Sequence, residues 1–150
     1  MVDLTWSHHS RGAGPGRNER PTLLLGLFRG SRFSYARAVV IEELNTSFIA
    51  KSVADDLRCY EDVEQLEEVT VEVEGEGGYT IFSLCLLDRV VFNGNEILSP
   101  TVVHVARFPG EPRAYEAFVG KDLIAHWQLY VDPAVGLVRS RLARRVVFKV

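Results

Sequence analysis

Phe118-Val119-Gly120-Lys121-Asp122-Leu123-Ile124-Ala125-His126-Trp127-Gln128-Leu129 begins with two apolar residues and a glycine and ends in a second apolar run. Its middle, Lys121 to Trp127, reads as a short helix. Leu129-Tyr130-Val131, Leu137 to Leu142 and Val146 to Val150 then read as closing strands. Upstream, Thr22 to Phe28 and Phe33 to Ile41 are β-rich stretches separated by Arg29-Gly30-Ser31-Arg32, a polar break containing glycine. That is a hairpin signature, and it predicts that the first two strands pair antiparallel. Val69, Val71 and Val73 alternate with Thr70, Glu72 and Glu74, the period of a strand with one wet face. Gly75-Glu76-Gly77-Gly78 turns the chain back. Tyr79 to Phe92 is a long arm ending in Asn93-Gly94, the strongest two-residue hairpin signal, and Glu96 to Ala106 supplies the return strand.

Between the first hairpin and these strands the period changes. Ile49, Val53 and Leu57 recur every four residues, which predicts an amphipathic helix with Asn45, Thr46 and Ser47 as candidate N-caps. The coarse expectation is a mostly β domain of about eight strands with two short helices. Residues 1–20, with three Gly, one Pro and three Arg and no apolar period, read as a flexible N-terminal arm, which leaves 21–150 as the folded domain.

At 150 residues, 47% apolar and 25% charged, the chain is long enough for one buried core and too ordinary in composition for disorder, collagen or a coiled coil. A net charge of −3 argues against a phosphate backbone as the main partner, so no nucleic acid is expected. The best N-terminal apolar run, Leu23 to Phe28, falls far short of the ~18 residues of a bilayer span, so no membrane is expected either. Cys59 and Cys85 match no metal or redox spacing. Reduced thiols in a cytoplasmic protein are the default reading, and one disulfide between them is the alternative.

Few side chains suggest chemistry. Eight carboxylates between Glu61 and Glu76 and five bases between Arg139 and Lys149 read as solvated faces, or as faces that pair with each other. His8 and His9 are adjacent in the arm and would need ligands from elsewhere to hold a metal. His104, among valines, reads as a satisfied strand histidine. Asp122 and His126 share one face of the second helix as an exposed pair. No serine or cysteine is placed as a nucleophile, and Gly120-Lys121 lacks the rest of a phosphate loop. No cofactor and no metal are expected.

The stretch from Phe118 to Leu129 resembles the closing pattern of the retropepsin-like aspartic peptidases, the family of retroviral proteases and their bacterial relatives. That pattern is two apolar residues, Gly, Arg or Lys, Asp or Asn, and two leucines, then a helix running into a strand. Phe48-Ile49-Ala50-Lys51-Ser52-Val53-Ala54-Asp55-Asp56-Leu57 is similar to the helix that bacterial members place after their active-site turn. Gly75-Glu76-Gly77-Gly78-Tyr79 is similar to the flap that closes over substrate. The resemblance implies a retropepsin-like antiparallel β barrel and a homodimer, in which Val146 to Val150 is a candidate for burial. It also implies a cleft lined by Leu44, Asn45, Gly75, Gly77, Gly78 and Tyr79.

One part of the family pattern is missing. Members carry Asp-Thr-Gly or Asp-Ser-Gly at the end of the second strand, where two carboxylates across a dimer axis share a proton. Here the aspartate's place falls on Ile41 or, with a one-residue slip, on Glu42, and no Asp-Thr/Ser-Gly occurs anywhere in the chain. Glu43 and Leu44 supply neither the bracing hydroxyl nor the close-approaching glycine. Glutamates from two subunits would carry an extra methylene each, more than the ~0.5 Å tolerance of a preorganised site. The expectation is therefore a catalytically degenerate domain that binds an extended peptide or takes part in assembly. The alternative is a noncanonical aspartic-type endopeptidase using Glu42 and Glu43 at a dimer interface.

Overall fold

Leu23, Leu25 and Leu27 are buried while Thr22 and Leu24 are exposed, and Ser34, Ala36 and Ala38 are buried while Phe33, Tyr35 and Arg37 are exposed. This alternation builds the two strands that start the fold, β1 (Thr22–Arg29) and β2 (Arg32–Val40). They pair antiparallel along their whole length through a turn in which Gly30 takes a φ of +60°, a region closed to most side chains. The computed structural model describes residues 20–59, 67–108 and 114–145.

The elements that follow are β3 (Phe48–Ala50), α1 (Lys51–Leu57), β4 (Val69–Val73), β5 (Gly77–Leu87), β6 (Arg89–Phe92) and β7 (Asn95–Ile97). After them come β8 (Thr101–Arg107), β9 (Ala117–Val119), α2 (Lys121–His126), β10 (Leu129–Asp132), β11 (Leu137–Ser140) and β12 (Arg144–Arg145). One ten-stranded sheet has the order β12-β7-β6-β1-β2-β9-β3-β8-β5-β4, and β10 with β11 forms a separate hairpin. Most pairings are antiparallel. The exceptions, β2 with β9 and β3 with β8, lie where the chain crosses the middle of the sheet.

The predicted first hairpin, the Asn93-Gly94 turn and the second helix are all present. Three expectations are corrected. The helix placed after Asn45 starts only at Lys51, because Phe48-Ile49-Ala50 is drawn into the sheet between β9 and β8; its N-cap is Ala50, with no side-chain cap. The long strands expected over Tyr79–Phe92 and Glu96–Ala106 each break in two, at Asp88 and around Pro100, so that the described residues hold twelve strands. Finally, Cys59 and Cys85 form a disulfide, so reduced thiols no longer argue for a cytoplasmic setting. Residues 1–19, the first six carboxylate-rich positions 61–66 and Val146–Val150 lie outside the described residues.

Small residues set the packing. Ala36 and Ala38, fully buried on β2, let α1 lie close against it with Val53, Ala54 and Leu57 turned inward. Ser34 Oγ adds a bond to Asp56 Oδ2 at 3.0 Å. The larger apolar core fills the space between β1, β2, α1 and β10–β11 and includes Trp127, whose Nε1–H donates to Thr101 Oγ1 at 2.9 Å. A second, smaller core lies on the other side of β2 and β9. No helix among the described residues is long and apolar enough to cross a membrane.

Candidate functional site

The smaller core is where the candidate site stands. β2 ends at Val40, and Ile41 continues its line by donating its N–H to Val119 O at 2.8 Å. Leu44 N–H donates back to Ile41 O at 3.1 Å, closing a tight turn with Glu42 and Glu43 in the middle. Glu42 is half-buried and Glu43 exposed. Ile41, one of the two places where the resemblance puts the family's acid, is 3% exposed and lies in a cluster with Val39, Leu44, Phe48, Tyr79 and Phe118.

The turn is fastened to the start of α2. Leu44 O accepts Lys121 N–H at 2.7 Å. Gly120 is required here, because a Cβ would run into Leu44 O and come within 3.0 Å of Leu44 C and 3.2 Å of its Cβ. Ser47, fully buried, accepts Gly120 N–H at 2.6 Å and donates its hydroxyl to Asp122 Oδ1 at 2.5 Å, while its N–H reaches both carboxylate oxygens at 3.0 Å. Asp122 Oδ1 also accepts Leu123 N–H at 2.8 Å. Asp122 is thus engaged across the fold with Ser47 rather than paired along the helix with His126, whose Nε2 lies 3.1 Å from Pro100 O.

A glycine-rich hairpin covers this base. Glu76 N–H donates to Val73 O at 2.8 Å, and Gly75 and Gly77 take φ values of +81° and +106° that favour glycine. Tyr79, 1% exposed, brings the hairpin down onto the base: its ring centroid lies 5.2 Å from Phe48, 5.0 Å from Phe118 and 4.7 Å from Phe108. Phe48 and Phe118 stack at 5.1 Å and 16°. The Tyr79 hydroxyl donates to Glu76 O at 2.9 Å, so its polar end is satisfied inside the hairpin. Beneath the hairpin these rings pack on one another.

Of the residues expected to line the cleft, Leu44 is buried in this cluster, Asn45 is exposed beside it, and Gly75, Gly77, Gly78 and Tyr79 form the hairpin tip. Phe48, Phe108, Phe118 and Tyr115 complete the cluster and carry no local sequence signal, since they come from separate elements. The Ser47–Asp122 link likewise joins residues far apart in sequence. His104 is not the satisfied histidine expected: its buried Nδ1 has no partner among the described residues. Nor do three potential metal ligands gather anywhere among those residues.

Ion pairs lie elsewhere on the surface. Glu116, just before β9, accepts the Arg37 N–H at 2.7 Å and the Arg37 guanidinium. Burial pushes the Glu116 carboxyl up, but the hydrogen bonds and charge of Arg37 outweigh it and hold the pKa below the ordinary value; Arg37 is pushed up in turn. Asp132 is lowered by the Ala134 N–H and then by Arg139 at 2.9 Å. Glu68 pairs with Arg107 at 2.7 Å and Arg139 with Asp132, so these two members of the charge runs have partners outside the opposite run.

No family model and no curated protein matches the chain. Among solved structures it is similar to the retroviral protease-like domain of Ddi1 from Leishmania major, with a TM-score of 0.57 and 15% identity over 81% of this chain and 88% of that one. It also matches the EIAV protease complexed with the inhibitor HBY-793, at a TM-score of 0.46 and 16% identity over 72% and 88% of the two chains. A Legionella pneumophila protein of unknown function follows, at 0.39 and 13% over 77% and 92%. The first of these likenesses establishes a mostly β, retropepsin-like fold.

Proposed function

We propose that this chain is a catalytically degenerate retropepsin-like domain that works as a peptide-binding or assembly module. The observation that supports the reading is the burial of Ile41 at the end of β2, the first of the two places (Ile41 or Glu42) where the resemblance puts the acid: its side chain is a hydrocarbon packed among Leu44, Phe48 and Tyr79. Water cannot be activated by such a group. Glu42 and Glu43 are turn residues beside it, and Gly120, Ser47 and Asp122 hold that turn in place. The scaffold and the hairpin are intact around an acid that is gone.

In this reading an extended segment is taken up at the hairpin by strand addition, along β4 and past Leu44, Asn45 and Gly75 to Tyr79. β4 has β5 on one side and no strand on the other among the described residues, which leaves an edge able to pair. A homodimer belongs to the same reading, since an isologous contact covers half a cleft most simply.

The test passes a diverse peptide library over the full-length chain and identifies by mass spectrometry what is retained and what is cut. Intact peptides are expected on the column, retained equally by the Glu42→Ala/Glu43→Ala variant. Cut peptides that disappear in that variant would overturn the reading in favour of the endopeptidase, and no retention at all would leave the domain purely structural.

A further inference from the structure

β4 is the last strand of its sheet, and among the described residues only β5 pairs with it. The backbone N–H and C=O groups along its outer side have no ladder to join there, and an edge of this kind accepts an extended chain. We propose that this edge takes an extended segment in which basic and apolar side chains alternate. The inference rests on the peptide-binding reading above and names the chemistry of the peptide.

The two faces of β4 differ, and a strand added beside it would match them, because side chains facing each other across paired strands share a face. Val69, Val71 and Val73 lie on one face. Val73 is buried in the smaller core, Val71 is half-buried against it, and Val69 is 54% exposed. Phe108 and Tyr115 are also only partly buried against that core. Apolar surface thus runs outward from the cluster along the strand, and apolar side chains on an added segment would extend it.

The other face carries Glu68, Thr70, Glu72 and, at the turn, Glu74, all exposed. Glu68 is paired with Arg107, while Glu72 and Glu74 have no ion pair among the described residues. No Lys or Arg occurs between Glu67 and Leu87, so β4 and β5 supply no base of their own. A second copy of this edge would bring glutamate against glutamate, and like charges on facing strands repel. A Lys or Arg at the same place is attracted. Exposed pairs of this kind add little affinity, so the backbone and the valine face hold the segment and the charge selects it.

Fluorescence anisotropy of labelled octapeptides with the full-length chain at low salt tests this. Three peptides alternate Val with Lys, Ser or Glu, and a fourth joins the same Lys and Val residues in two blocks. The Lys-Val repeat is expected to bind about fivefold or more tighter than the Ser-Val repeat, with the Glu-Val repeat weakest. In the Glu72→Gln/Glu74→Gln variant that preference is expected to fall below about twofold. Hydrogen exchange with the Lys-Val repeat bound is expected to slow most at amides 69–73. Equal binding of the three repeats would overturn the charge preference while leaving the peptide-binding reading intact, and no binding by any of the four would overturn both. A block peptide that binds as tightly as the repeat, or slowing elsewhere than 69–73, would make the attraction general and overturn the edge. Slowing at 69–73 in the unliganded chain as its concentration rises would put a second copy there and overturn it as well. Both glutamates are exposed, so the variant is expected to fold; if it does not, the peptide series on the wild-type chain decides.

Discussion

Gly120 and Gly78 are both crowded, but by different things. A Cβ at Gly120 would meet the backbone of Leu44, which is fixed by its bond to Lys121, whereas a Cβ at Gly78 would meet the carboxylate end of Glu72 at 2.8 Å, and that side chain can swing away. Gly120→Ala is expected to cost roughly 3 kcal/mol or more, and Gly78→Ala to stay within about 1 kcal/mol, as read from urea unfolding midpoints. Glu116 sets a dependence on pH at the same scale. Its carboxyl is depressed in the folded chain, so the stability it contributes is complete above its unfolded value and is lost as pH falls through the folded one. Unfolding midpoints are therefore expected to drop as pH falls beneath about 4.5, with Glu116→Gln losing less over the same interval. Asp132, depressed by the Ala134 N–H and Arg139, acts in the same direction.

The hairpin depends most on Tyr79. Removing its ring leaves a cavity against Phe48, Phe108 and Phe118, so Tyr79→Ala is expected to cost about 3–5 kcal/mol and Tyr79→Phe, which keeps the ring and loses the bond to Glu76 O, about 1 kcal/mol. Calorimetric unfolding of the two variants separates packing from hydroxyl. Elements of this kind differ in how far they can be read from sequence. The Asn93-Gly94 turn is legible because its cause is local: both residues take positive φ, 51° and 76°, and their residue types say so. Phe48-Ile49-Ala50 misleads, since its apolar spacing continues that of α1 while its backbone is claimed by β8 and β9 from elsewhere in the chain. The same is true of the site. The absence of an Asp-Thr/Ser-Gly motif is visible in the sequence, but the aromatic cluster beside Ile41 comes from separate elements, and no window along the chain contains it.

Across the whole molecule, two cores are pressed against opposite sides of β2 and β9, and one covalent bond spans the larger. Two cysteines at this separation carry no pairing signal of their own, which is why only the fold reveals them as partners. Closing a loop of that length is worth about 3–4 kcal/mol in chain entropy, and the Cys59→Ala/Cys85→Ala variant is expected to lose about that much by urea titration. At this scale the chain keeps a sheet, a glycine-rich hairpin and a turn fastened to the start of α2. The most direct measurement is a search for new N-termini in a denatured polypeptide incubated with the full-length chain under acidic and neutral conditions. None above the buffer control is predicted; new termini that form in acid with the wild-type chain and vanish with Glu42→Ala/Glu43→Ala would contradict the account.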